Sequence, residues 1–306
     1  MTGLYQNIKY FIAPMVGNDK VLVGKDGWLF SKLNNNSMNN YANNTILSEY
    51  KLQQGLNYLI AIDSWCKKKG KEFYYVIAPD KSKIYGEYYR LIKKQRADEY
   101  GIGNQFANYI KKNSNIKVIY LRDVLIKNKD KGLLYYKLDT HWNDLGAYYG
   151  YKALMKLMKM PEKSYEFDKV SYDSHQHINM GYSGTGDLDR MLGSVFLKDS
   201  TMYHKLKQKN KSLCKSYNIN ARRNECNNIN EKKNLYMLRD SFGGALLYYL
   251  SYDFNKIHTN NNMDSISVAD LKDIEQNYDI VILENVERYI PQILNKKFPQ
   301  NLIKEN

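Results

Sequence analysis

Cysteine and proline are scarce in this chain of 306 residues, which holds three of the first and five of the second. Three cysteines cannot make a disulfide framework, and Cys66, Cys214 and Cys226 do not have metal-ligand spacing. At most one disulfide is possible, with Cys214 to Cys226 the expected pair, whereas Cys66 falls in a helical pattern that implies simple burial. Long apolar runs are also missing. The stretch from Tyr10 to Val16 is too short to span a bilayer, and Met1 to Asn18 lacks the basic, apolar and small-residue order of a signal peptide. Two expectations stay open on that basis: a cytoplasmic protein, or one whose targeting segment is absent from this chain.

Negative charge is in short supply too. A net charge of +14 excludes the acidic disordered class and points to an anionic neighbour such as a cell-wall polymer, a membrane surface or an acidic polysaccharide. Nucleic acid is not an expected partner, because the lysines are spread along the chain without a basic stripe or a recognition motif. The glycine-rich segment Gly181 to Leu188 has neither a strand before it nor Gly-Lys-Ser/Thr after it, so it is not read as a phosphate loop. No cofactor is expected. His175 and His177 lack further ligands at metal spacing and read as solvated loop residues, and His204 and His258 are isolated. The 29 tyrosines accompany abundant Lys, Asn and Ile, so their number reflects composition, although some could form a sugar-binding surface.

What is present is a regular alternation. Apolar content is ordinary at 43%, and the length suits one large α/β domain or two smaller ones. Val21 to Phe30 reads as a hairpin, Ile46 to Lys69 as a helix, Phe73 to Ala78 as a buried strand, Ala97 to Lys112 as a helix and Lys117 to Leu121 as a strand. Asp144 to Lys159 follows as a helix, then strand Leu235 to Leu238, helix Gly243 to Leu250, strand Phe254 to His258, helix Val268 to Gln276 and strand Tyr278 to Leu283. Such alternation predicts a mostly parallel sheet covered on both faces, with the chemistry at the carboxyl ends of the strands. Pro79-Asp80-Lys81, Asp240-Ser241 and Glu284 to Arg288 fall there. Glu162 to Asn234 interrupts the rhythm and reads as an insertion that shapes access to the site, within a single domain over residues 1–306.

Two segments carry chemistry. Asp139-Thr140-His141-Trp142 places a carboxylate and an imidazole two residues apart in a loop that opens a helix. Asp240-Ser241-Phe242-Gly243 places a serine on a strand-to-helix turn, where unpaired N–H groups and the helix dipole favour a developing oxyanion. A serine needs an imidazole to take its proton, and the imidazole needs a carboxylate to fix its tautomer. Asp-Ser at a turn is also an ordinary helix cap, and Asp-x-His is common in solvated loops; the two segments together favour a catalytic reading. Gly243 and Gly244 are expected to leave a substrate room to approach.

Five pieces in order resemble the SGNH-hydrolase-like acetyltransferases of the alginate O-acetyltransferase type and the related DHHW proteins. They are Val23 to Phe30, Ala78 to Lys81, Asp139 to Asn143 with Gly146-Ala147-Tyr148, Gly184 to Leu188, and Asp240-Ser241-Phe242. The resemblance implies a permuted SGNH fold in which Ser241 is the nucleophile, His141 the general base and Asp139 the orienting carboxylate. It also implies an extracytoplasmic enzyme that O-acetylates a secreted polysaccharide, supplied with acetyl groups by a membrane-bound O-acyltransferase. Arg239 stands where the family's Gly-Asp-Ser block has glycine, and the family's oxyanion asparagine is not evident. Beside the Ser241 backbone, Asn285 is the candidate second oxyanion donor. Lys81, Trp142, Tyr182, Arg239 and Arg288 are the substrate-binding candidates, with Trp142 either stacking on a sugar or packing behind the loop, and Glu287 and Arg288 open to a structural pairing. The rival readings are a carbohydrate acetylesterase using the same triad and a non-catalytic carbohydrate-binding component of a secretion complex.

Overall fold

In the computed structural model the described residues are 17–32, 41–89, 98–171, 186–193, 199–207, 223–261 and 266–299. A short antiparallel hairpin comes first, β1 (Val21–Val23) paired with β2 (Leu29–Ser31). Then follow helix α1 (Glu49–Lys68), strand β3 (Glu72–Ala78), the single turn α2 (Lys81–Ile84), helix α3 (Ile102–Asn113) and strand β4 (Lys117–Tyr120). The short helix α4 (Arg122–Lys127) leads through a loop to α5 (Asp144–Met158). Strand β5 (Phe167–Ser171), helix α6 (Asp187–Leu192), and strands β6 (Met202–Leu206) and β7 (Arg223–Asn227) lie in the segment read as an insertion. The chain continues with β8 (Asn234–Leu238), α7 (Ser241–Leu250), β9 (Lys256–Asn260), α8 (Val268–Asn277), β10 (Ile280–Val286) and α9 (Ile290–Ile293).

The central sheet has strand order β4-β3-β10-β8-β9-β7, parallel except at β7, which pairs antiparallel with β9. Alternation along the strands sorts side chains to two cores. Tyr74, Val76, Leu235, Met237, Ile280 and Ile282 face α5 and α7, while Phe73, Tyr75, Ile77, Tyr236, Val281 and Leu283 face α1, α3, α8 and α9. Burial on both faces is why β3 and β10 read as nearly continuous apolar runs. The last strand of the sheet to form in sequence, β10, occupies the middle between β3 and β8. The loops after β3, β8 and β10 therefore leave the same sheet edge side by side.

Several boundaries differ from the sequence reading, among them those of β9 and β10. β9 starts at Lys256 because that is where pairing with Asn234 of β8 begins, and Phe254 lies in the irregular backbone between the preceding turn and the strand. β10 runs on to Val286: Glu284 and Asn285 look like loop residues, yet both are fully buried within the strand. The segment read as an insertion also does more than flank the site, since β7 completes the edge of the central sheet and α6 reaches the Asp139 loop. Cys66 is free and buried, with burial pushing its thiol up to about 12. Cys226 is disulfide-bonded, and its expected partner Cys214 lies outside the described residues.

Candidate active site

Each of the two segments is held by its local fold. After β8 the chain turns at Asp240, whose carboxylate caps α7 by accepting from Phe242 N at 2.7 Å and also accepts from Val286 N at 2.7 Å. The cap reading of Asp240 is thus correct, and it fixes Ser241 at the first helical position, where its N–H has no carbonyl partner within the helix. Phe242 N–H is committed to the cap. Gly243 serves packing rather than substrate approach: a Cβ there would lie 2.4 Å from Glu284 Oε2, and both Gly243 and Gly244 are buried. Arg239 is fully buried and donates to Asp240 O at 2.9 Å, so it supports the turn from inside instead of meeting a substrate.

The other segment is a tight loop closed by a bridge between Tyr135 and Trp142 and by Asn143 N donating to Leu134 O at 2.9 Å. Asn143 then caps α5 by accepting from Gly146 N at 3.1 Å. Within the loop, Asp139 Oδ1 accepts from His141 N at 2.9 Å and from His141 Nδ1 at 2.7 Å. That assigns the ring proton to Nδ1 and turns Nε2, as an acceptor, toward Ser241 Oγ at 2.7 Å. Trp142 is fully buried, packed edge-on to Phe242 with its indole N–H donating to Phe242 O at 3.2 Å, so of its two readings the packing one holds.

Lys81 is likewise no substrate contact. Its buried ammonium donates to Tyr136 O, Lys137 O and Asp139 O at 3.0, 2.9 and 2.7 Å, and it sits 5.4 and 5.3 Å from the ring centroids of Trp28 and Phe30. The hairpin, the β3 turn and the Asp139 loop, separate pieces in the sequence, meet on this one side chain. Asn285 does not reach the site as an oxyanion donor. Its Oδ1 accepts from Tyr75 Oη at 2.8 Å and its Nδ2 donates to Val286 O at 2.9 Å, both within the sheet. Arg288 pairs with Asp80 and lies 5.3 Å from the Phe242 ring, with a side chain 12% exposed; Glu287 accepts from Asp80 N and Tyr120 Oη. Arg288 is therefore the one substrate-binding candidate among those described that keeps some exposure. Tyr182, His175 and His177 lie outside the described residues.

Electrostatics follow from this geometry. Burial opposes the charged imidazole of His141, but the Asp139 carboxylate and its hydrogen bond outweigh burial and hold the ring above the ordinary histidine value. Burial likewise opposes the Asp139 carboxylate, yet His141 and the N–H donors keep it below the usual carboxylate range. Asp187, within the Gly184 to Leu188 piece, joins the site in the structure. It stands at the start of α6, its N–H donating to Asp139 Oδ2 at 3.0 Å, and burial with the Asp139 charge raises its carboxyl. Ligand atoms of Asp139, His141 and Asp187 lie within 4.8 Å of one another, a spacing that a cation could bridge. Both carboxylates are instead occupied by donors from His141, Thr140 and the Asp187 backbone.

No curated sequence relative matches the chain. Among solved structures, a DHHW family protein from Eubacterium siraeum is 15% identical with a TM-score of 0.60, covering 93% of this chain and 98% of that one. Bacillus cereus PatB1 is 16% identical with a TM-score of 0.60, covering 89% and 97%. Pseudomonas aeruginosa AlgX is 16% identical with a TM-score of 0.57, covering 97% of this chain and 67% of its own. At such identity these likenesses show a shared fold. A sequence family described as SGNH hydrolase-like domain, acetyltransferase AlgX, matches residues 21–225, which takes in Asp139, His141 and Asp187 and stops short of Ser241. With more than half of its length matched, this chain belongs to the SGNH hydrolase-like acetyltransferase family of AlgX type.

Proposed function

We propose that this protein is an O-acetyltransferase that carries an acetyl group on Ser241 and delivers it to hydroxyls of a secreted or cell-surface polysaccharide. The observation that carries the reading is the hydrogen-bonded series from Asp139 through His141 to Ser241 Oγ at a helix N-terminus, in a chain that belongs to an acetyltransferase family. Ser241 Oγ attacks the acetyl carbonyl as His141 Nε2 takes its proton, and the oxyanion forms beside the Ser241 N–H. His141 returns the proton to the departing group. A sugar hydroxyl then gives its proton to His141, attacks the acyl carbon and leaves as the acetyl ester, restoring Ser241. Asp139 stabilises the imidazolium in both halves. The acceptor is a polysaccharide, for which a net charge of +14 suits an anionic polymer. The acetyl donor is supplied by a membrane-bound O-acyltransferase, and the site of action is extracytoplasmic.

The test is to incubate the protein with a chromogenic acetyl ester, with and without candidate oligosaccharides, and to weigh both protein and glycan. The reading requires acetyl on Ser241 and a gain of one acetyl on the glycan. Hydrolysis alone, with acetylated glycans losing acetyl, would make it an esterase.

A further inference from the structure

The segment Gly186-Asp187 touches the Asp139 loop more closely than any substrate-access role requires. A Cβ on Gly186 would lie 2.1 Å from Leu138 O, so only glycine lets the start of α6 press against the residues leading into Asp139. Asp187 then uses both carboxylate oxygens on one residue: Oδ1 accepts from Thr140 N at 2.7 Å and Oδ2 from Thr140 Oγ1 at 2.5 Å. Its own N–H donates to Asp139 Oδ2 at 3.0 Å, the oxygen that His141 leaves unused. Thr140 is the residue between the carboxylate and the imidazole, and its Oγ1 lies 3.3 Å from His141 Nδ1. Asp187 Oδ2 is itself 3.9 Å from that nitrogen.

We propose that Asp187 is a positioning residue for the Asp139–His141 pair, gripping Thr140 from the far side and setting a second carboxylate beside the imidazole. The inference rests on the acyl-Ser241 reading above. Thr140 N–H and Oγ1–H both donate to Asp187, an arrangement that suits its carboxylate form and works against the burial and Asp139 charge that raise its carboxyl. The grip fixes the backbone between Asp139 and His141, so that the ring cannot swing away from Ser241. The charge also favours the imidazolium that forms when Ser241 is deprotonated. Among the described residues, Asp139 and Asp187 favour protonation of His141 and Arg288 opposes it; Asp240 also interacts with His141, and Lys81 with Asp139 and Asp187.

The test follows the His141 ring directly by NMR titration and, in parallel, the pH dependence of Ser241 acylation with a chromogenic acetyl ester. Asp187→Asn should lower the His141 midpoint by about half to one unit, since a carboxylate within this distance favours the charged ring, and should slow acylation about tenfold. Unfolding midpoints of the same samples separate this from a loss of fold. Thr140→Val removes the hydroxyl bond and keeps the Asp187 charge, so acylation should fall about tenfold with little change in midpoint, whereas Thr140→Ser should stay within about threefold of wild type. An unchanged His141 midpoint in Asp187→Asn, or Thr140→Val acting like wild type, overturns the proposal. If Asp187→Asn does not fold, the contrast between Thr140→Val and Thr140→Ser decides it. Failure of the acyl-Ser241 reading shows separately, as wild-type protein that never acquires acetyl on Ser241.

Discussion

The ammonium of Lys81 donates to the backbone carbonyl of Asp139 at 2.7 Å, and so a residue from the turn after β3 carries the loop that presents His141. Three carbonyls converge on that ammonium while burial draws its pKa down from 10.5 to about 7, against the opposing charges of Asp139, Asp187 and Asp199.

A consequence is a pH-dependent stability term of definite sign. Between about pH 7 and 10.5 the unfolded chain keeps a proton on Lys81 that the folded chain gives up, so unfolding free energy should rise with pH across that window. The limiting slope for one proton is about 1.4 kcal/mol per pH unit. Urea unfolding of wild type and Lys81→Met from pH 7 to 9.5 measures it as a difference, and parallel curves for the two proteins would remove the assignment. The same variant should lose acylation activity, because three loop carbonyls lose their donor.

His141 sets the second expectation. Its ring is held above the ordinary value of 6.5, and only the neutral ring can take the Ser241 proton, so acylation should fall as pH drops through a midpoint above 6.5. The matching stability contribution is fully present below 6.5 and is lost as pH rises through the folded midpoint. Asp139→Asn should reduce turnover by about a thousandfold or more with ester binding little changed, because the ring then loses its tautomer control. Stopped-flow acylation of both proteins across pH 5 to 9 checks both statements; a flat wild-type profile contradicts them.

The alternation of strands and helices was legible in the sequence because a sheet buried on both faces writes itself as apolar runs such as Tyr74 to Ala78 and Ile280 to Leu283. Asp139, His141 and Ser241 were legible for a different reason: each stands at a junction leading into a helix, and the structure brings their side chains into contact. What failed were inferences from position along the chain. Lys81, Trp142 and Arg239 flank the site in sequence but point into the protein, and nothing in their residue type records that direction. Asp187 was missed because its partner, Thr140, carries no signal of its own; the only sign was a glycine directly before an aspartate, whose meaning depends on the backbone of Leu138.

Asn285 gives a third prediction that separates structure from catalysis. Asn285→Ala leaves the buried hydroxyl of Tyr75 without its acceptor, which costs about 1–3 kcal/mol of stability. Ester turnover by the folded fraction should stay within about twofold of wild type, since a lost oxyanion donor costs a hundredfold or more. Thermal unfolding together with active-site-titrated kinetics distinguishes the two, and a large fall in turnover at unchanged stability would restore Asn285 to the oxyanion site.

The last prediction concerns the floor beneath the nucleophile. Glu284 is fully buried, its Oε2 accepts from Asp240 N at 3.2 Å, and burial with the neighbouring Asp240 charge pushes its carboxyl well above the ordinary value of 4.5. A neutral acid there has an isosteric substitute in glutamine. Glu284→Gln should therefore hold the turn, keeping stability near pH 7 within about 1 kcal/mol and turnover close to wild type. Glu284→Ala should cost roughly 2–4 kcal/mol, because it opens a cavity against Gly243 and strips the Asp240 N–H of its acceptor. The pH dependence has the opposite sign from that of Lys81. The folded chain holds a proton that the unfolded chain releases above 4.5, so this contribution is complete below that pH and declines as pH rises toward the folded value. Glutamine has no proton to release, so stability of Glu284→Gln relative to wild type should climb from pH 4.5 toward neutrality. A constant difference over that range would mean that Glu284 is ionised in the fold, and the support it gives to the Ser241 turn would then have to come from its charge.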